Sequence, residues 1–163
     1  MEFTIRNANP NDMGQVLKLI HELAVFEKEP EAVEIDEEEL VSEGFGEHPL
    51  FQCIVAEVEG LIVGTAIFYY RFSTWKGRSI HLEDLIVTSA MRGTGIGTAL
   101  YTEVMNFANF KGVRRVEWVV LDWNKNAIDF YEKSGAVLLK DWYLAQMDKD
   151  GLQAFISKKT MPK

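Results

Sequence analysis

Residues 82–104 read "LEDLIVTSAMRGTGIGTALYTEV": a strand carrying two acids, a glycine-rich turn, then a helix. Gly93, Gly95 and Gly97 cost backbone entropy. Set where a helix must start, they open access to its first amides. Those amides lack intrahelical partners and lie at the positive end of the helix dipole, so a phosphate can accept several of them. Arg92 adds a positive charge. A ligand-free strand-to-helix turn is the plainer alternative, but three alternate glycines exceed its needs. A P-loop needs a lysine after its glycines, and none follows. The dinucleotide fingerprint G-x-G-x-x-G/A fits less well: its third position is Thr98, and the acid at the right distance, Glu117, falls at the start of its strand. That fingerprint also usually opens a domain, whereas three strands precede the one that leads into this turn.

The elements that must position this turn follow from periodicity and capping. "FTIR" (3–6) alternates as a strand. Asn9, Pro10 and Asp12 start a helix that Met13, Val16, Leu17, Ile20, Leu23 and Ala24 carry to about Phe26. Asp36 caps a second helix, with Glu37 to Glu39 in its first turn. Residues 50–58 and 61–72 are strands joined by the turn "EG", and 79–87 is a third long strand. Ile96, Leu100, Val104 and Phe107 stripe a helix that ends at "KG" (111–112). "VRRVEWVVL" (113–121) reads as a strand buried on both faces. Asn124 can cap a short helix over 125–134, and 142–147 with 152–157 can form a closing hairpin. The fold class is therefore α/β (α+β), β-α-α-β-β-β-α-β-α-β-β, in a single domain over residues 1–163. A right-handed crossover makes 79–87 and 113–121 parallel neighbours, with the glycine turn at their carboxyl ends, where ligands bind.

Composition limits the partners. The chain has 163 residues, is 47% hydrophobic and 26% charged, which describes a globular chain. Its net charge of −8 argues against a nucleic-acid backbone and favours a cationic partner. No apolar run is long enough to span a bilayer, so no membrane partner is expected. "MEFTIRNANP" has no basic segment followed by an apolar one, so no signal peptide is expected. One cysteine, Cys53, excludes an intrachain disulfide and suits a reducing, cytoplasmic setting.

"RGTGIG" fits R/Q-x-x-G-x-G/A through Arg92, Gly95 and Gly97, and so resembles the acetyl-CoA motif of the GNAT acetyltransferases. "GFGEHPLFQCIVAEV" (44–58), "STWKGRSIHLEDLIV" (73–87) and "LDWNKNAIDFYEKSGA" (121–136) extend the resemblance to the diamine acetyltransferase family, from about Phe3 to Ser157. The resemblance implies a GNAT fold, a mixed, mostly antiparallel sheet with a central parallel pair. It also implies acetyl-CoA as cosubstrate, no metal, a small cationic amine as acceptor and a homodimer. It makes Tyr131 the general acid and Glu83 the group that deprotonates the amine through water, with Asp84 attracting the cation. It assigns the backbone of Leu85, Ile86 and Val87 to the acyl and pantetheine end. The turn Gly93, Thr94, Gly95, Ile96, Gly97 and Thr98 takes the pyrophosphate, and Asn124 the coenzyme arm. Glu27, Trp75, Trp123 and Trp142 fall to the amine pocket.

Each residue also has a plainer reading. Tyr131 can be an aromatic on a buried helix face, Asn124 a helix cap, and the tryptophans core. Neighbouring strand residues face opposite ways, so one of Glu83 and Asp84 is ordinarily a solvated acid unless a bulge brings both inward. His81 shares a face with Glu83 and is an alternative base. Polyamine-using members carry an acid where this chain has Ser73. "STWKGR" and "LDWN" instead look like the branch that acetylates thialysine, which favours a lysine-like amine or short diamine. A CoA-type binding module without catalysis, and more distantly a dinucleotide enzyme, are the competing classes.

Overall fold

Asn9 starts the first helical segment as its residue type predicts. In the computed structural model, which describes residues 2–160, its side chain accepts from the Asn11 amide, and the Asp12 carboxylate accepts from the Asn9 amide at 2.8 Å. This reciprocal cap encloses a 3₁₀ turn, Pro10–Asp12, that runs into α1 (Met13–Phe26). Asp12 also takes Arg6 Nη1 and Nη2 at 2.7 and 2.9 Å, while Arg6 Nε donates to Glu57. One guanidinium thereby joins β1 (Thr4–Asn7), β2 (Gln52–Val58) and the start of α1. Asp36 caps α2 (Glu37–Phe45) by accepting from the Glu39 amide at 2.8 Å.

Strands β2, β3 (Leu61–Ser73) and β4 (Gly77–Val87) form an antiparallel series with β1, in the order β1-β2-β3-β4-β5. Glu59 and Gly60 turn between β2 and β3 with φ of +49° and +81°, as a twisted hairpin requires. Helix α3 (Ile96–Phe110) then returns the chain so that β5 (Val116–Glu117) pairs parallel to β4, through Ile80↔Val116 and His81↔Glu117. Met13, Val16 and Leu19 of α1 and Leu40 of α2 pack on Val55, Ile67 and Ile86 of the sheet. Phe107 of α3 meets Phe68 edge-on at 5.1 Å. Gly64 lets α3 lie close, because a Cβ there would stand 3.0 Å from Leu100 Cδ1.

Residues 1–121, holding the sheet and α1 to α3, form one compact unit, and residues 122–163 form another. The second carries α4 (Lys125–Lys133) and α5 (Lys149–Thr160).

Two expectations are corrected. The strand over 113–121 shrinks to Val116–Glu117, and Val119 is 62% exposed. β5 ends the sheet; among the described residues no strand pairs along its outer edge, so nothing extends its ladder, and the parallel pair stands at the end of the sheet. The closing hairpin is absent: 142–147 forms no strand, and 152–157 lies within α5. Asp148 explains the helix, since its Oδ1 accepts from the Gly151 amide at 2.8 Å and its carbonyl from the Leu152 amide. Leu152, Phe155 and Ile156 recur at helical spacing, a signal that the apparent alternation of "LQAFIS" hides.

Candidate active site

The two acids of "LED" sit at a β-bulge. Leu82 pairs with Phe68 and Asp84 with Ile67, so Glu83 is one residue more than β3 can match. The extra residue changes which way the following amides point. The Ile80 amide donates to Arg115, ahead of β5, whereas the Thr88 amide donates to Val63 on β3. In an unbroken strand these positions, an even number apart, would share an edge. Counting back from Thr88, the amides of Leu85 and Val87 turn toward the β5 side, past the point where β5 stops pairing. By the same alternation the Ile86 amide turns to β3, within the ladder.

The bulge also brings both acids to one face. Tyr69 Oη donates to Glu83 Oε2 at 2.7 Å, and His81 Nε2 lies 3.5 Å from the same oxygen. Burial pushes the Asp84 carboxyl up to about 6, helped by the charges of Glu83 and then Glu27. Burial likewise raises Glu27, at the end of α1, and pushes the Tyr69 phenol up to about 12. The structure thus gathers Glu27, Glu83 and Asp84. His81 is engaged on both ring nitrogens. Its Nδ1 is 3.2 Å from Arg71 Nη1, and since arginine only donates, Nδ1 is the acceptor in that contact.

The glycine turn stands at the end of β4. Gly93 and Gly95 take φ of +78° and +90°, and a Cβ on either would meet nothing within 4 Å. Gly95 is the N-cap of α3 and supplies no side-chain cap; the first i→i−4 bond is Ala99 N to Gly95 O at 3.0 Å. The amides of Ile96, Gly97 and Thr98 precede that bond. Thr94 Oγ1 donates to Met91 O at 2.7 Å and closes the turn. Arg92 is held back against α1: Nε donates to Val87 O, Nη2 lies 3.8 Å from Glu22, and the guanidinium covers the Phe26 ring. Glu22 also accepts from Thr88 Oγ1 at 2.9 Å and the Ser89 amide at 2.7 Å. Neither Glu22 nor Tyr69 stands out in the sequence, because each acts on a strand or turn remote along the chain.

The structure places Trp75 apart from these acids. It is 81% exposed in the β3–β4 turn, where Ser73 Oγ accepts from the Trp75 and Lys76 amides. Ser73 is six residues along β3 from Ile67, the partner of Asp84. At about 3.3 Å per residue that is ~20 Å, so this loop does not stand beside the acids.

The second unit carries the remaining candidates. Tyr131 is buried on α4, with its ring edge-on to Phe130 at 5.5 Å. Asn124 caps α4 by accepting from the Ala127 amide at 3.3 Å. Trp123 and Trp142 are both exposed. Among the described residues no cluster of three or more His, Cys, Asp or Glu could hold a metal ion, and no helix is long and apolar enough to cross a membrane.

The sequence pattern of the Acetyltransferase (GNAT) family matches residues 16–136. A thialysine N-epsilon-acetyltransferase of Bos taurus is 39% identical over 94% of this chain and 97% of its own length. That of Mus musculus is 43% identical, over 81% and 82%. Among solved structures, an integron cassette protein from the mobile metagenome of V. cholerae shares the fold, with a TM-score of 0.78 at 24% identity over 96% of this chain and 98% of that one.

Proposed function

Because the chain belongs to the GNAT acetyltransferase family, we propose that it moves an acetyl group from acetyl-CoA to the primary amine of a small cationic substrate, lysine-like or a short diamine. One observation carries the chemistry: at the β4 bulge, two carboxylates stand beside an edge of amides that β5 leaves unpaired.

The residues fit a CoA-type ligand. The glycine turn is an open cradle that side chains would fill, and the first amides of α3 await an acceptor. We assign Gly93 to Thr98 to the pyrophosphate, with Arg92 fixed beside them. Leu85 and Val87 direct amides toward the acyl end, and Asn124 serves the coenzyme arm while capping α4. Bound acetyl-CoA would supply an acetyl group activated as a thioester.

A lysine-like amine, pKa about 10.4, is neutral in roughly one molecule in a few thousand at pH 7. The acids must therefore both attract the ammonium and accept its proton. Glu27, Glu83 and Asp84 supply the field. Glu83, held by Tyr69, and Asp84 can each take the proton through water, and the burial that lifts Asp84 matches it better to neutral pH. Backbone donors at the acyl oxygen stabilise the charge that develops there. Tyr131, which the family match includes, gives a proton to the departing thiolate. The reading extends to a homodimer in a reducing compartment, as the family resemblance and the lone cysteine suggest.

An amine panel with acetyl-CoA, following free thiol and product mass, tests this function. Acetylation of lysine-like amines is expected. Acetyl-CoA binding without turnover on any amine would leave only a binding module. Thermal shifts with acetyl-CoA and NAD test the nucleotide: at 100 times its dissociation constant a ligand stabilises by about 2.7 kcal/mol. No shift is expected with NAD, in part because Glu117 is engaged by Arg71 and unavailable to a ribose.

A further inference from the structure

The sheet face that α1 covers continues beyond α1 as a polar row. Ile67 packs in the α1 cluster, so Tyr69 and Arg71, two and four residues on along β3, share its face; Phe68 and Tyr70 pack on Phe107 of α3 instead. Across from them stand Asp84, opposite Ile67, and His81, opposite Tyr69, with Glu83 bonded to Tyr69. The row ends at Arg71, which reaches His81 and pairs with Glu117 of β5.

The two ends carry opposite charge. Glu27, Glu83 and Asp84 form one. At the other, Arg71 and Arg115 share a single carboxylate, Glu117, a local positive excess in a chain of net charge −8. Arg115 Nε lies 2.9 Å from Glu117 Oε2 but is not aligned to hydrogen-bond it, so that contact is Coulombic. Arg71 makes both its contacts through Nη1, and its side chain is 51% exposed. Among the described residues nothing engages its Nε or Nη2, the edge of the fork that grips a carboxylate.

The spacing has a molecular length. From the level of Tyr69 and Glu83 to that of Arg71 is two residues, about 7 Å along the strand. An extended lysine side chain sets its nitrogen roughly 6–7 Å from the α-carbon, with the carboxylate next to that carbon. Resting on the acetyltransferase reading of this site, we infer that Arg71 forms a carboxylate subsite. The lysine-like acceptor proposed above is then held there by its α-carboxylate while its distal amine meets the acids. The same guanidinium repels the second ammonium of a diamine or polyamine, so the row selects by attraction and by repulsion together.

The test compares thialysine with its α-carboxamide, which keeps the shape and loses the negative charge. The ratio of kcat/KM, acid over amide, is measured at fixed salt in the wild type, Arg71→Gln and Arg71→Lys. The wild type should favour the acid by about 3- to 30-fold, the range for a part-exposed charge-assisted pair. Arg71→Gln should bring the ratio near one, and Arg71→Lys, a point charge without the fork, should fall between. An unmoved ratio in Arg71→Gln that still shows its acetyl-CoA thermal shift overturns the inference. If that variant does not fold, a ratio in Arg71→Lys at or above wild type does so. A wild type that acetylates acid and amide equally sinks the subsite and leaves the acetyltransferase reading standing. Failure to acetylate any amine removes both.

Discussion

Asp84 is the residue on which stability and activity pull against each other. Its carboxyl is raised to about 6, so between about pH 4 and 6 the folded chain binds more protons than the unfolded chain. Stability therefore falls as pH rises through that window and stays lower above it. Asp84→Asn should raise stability at pH 7.5 by on the order of 1–3 kcal/mol and change it little at pH 4, as chemical denaturation at both values will show. In the same variant the acidic limb of kcat/KM near pH 6 should disappear or move; a limb unchanged in position assigns the proton to another group. Tyr131 offers a cleaner deletion. It packs beside Phe130 on α4, so Tyr131→Phe keeps the ring and removes only the hydroxyl. We expect kcat to fall by about 10²-fold or more with acetyl-CoA affinity nearly intact. An unchanged kcat from pH 7 to 10 takes Tyr131 out of the mechanism.

At the scale of elements, the glycine turn and the β3–β4 hairpin each permit a test that spares the fold. Gly93 and Gly95 have positive φ, so any side chain there adds backbone strain and confuses lost binding with lost structure. Gly97 does not: it lies inside α3, and a Cβ there would meet only Val87 Cγ2 at an ordinary 3.6 Å. Gly97→Val should melt close to wild type and bind acetyl-CoA about tenfold or more weakly, since its side chain shields the amides. Equal affinity by titration rejects the phosphate assignment. At the hairpin, an aspartate at 73 can accept the same two amides that Ser73 accepts, so the turn should survive. At ~20 Å from Asp84, beyond a Debye length, Ser73→Asp should shift the preference between spermidine and thialysine by less than about twofold. A larger shift places this loop beside the amine by some other route.

Across the whole molecule, the net charge of −8 draws cations while the row from Asp84 to Arg71 sorts them. Raising salt from 50 to 300 mM should therefore weaken kcat/KM for a dicationic amine more than for a zwitterionic one. An equal loss for both separates steering from recognition. The residues that carry local structure were legible from the chain alone. Asn9, Asp36 and Asn124 cap helices, Gly93 and Gly95 turn, and the apolar stripes of α1 and α3 face the core, because each depends on neighbours within about four residues. The strand–helix–strand crossover followed from handedness. The closing hairpin failed because six residues that alternate can also stripe a helix, and the capping of Asp148 decided between them. What only tertiary structure decided is register. The bulge at Glu83 turns Leu85 and Val87 outward and Ile86 inward. Glu22 clamps the turn from another helix, and Arg71 meets Glu117 across three strands. These partners are tens of residues apart, and strand pairing over such separations is set by the packed sheet as a whole, which no short window of sequence contains.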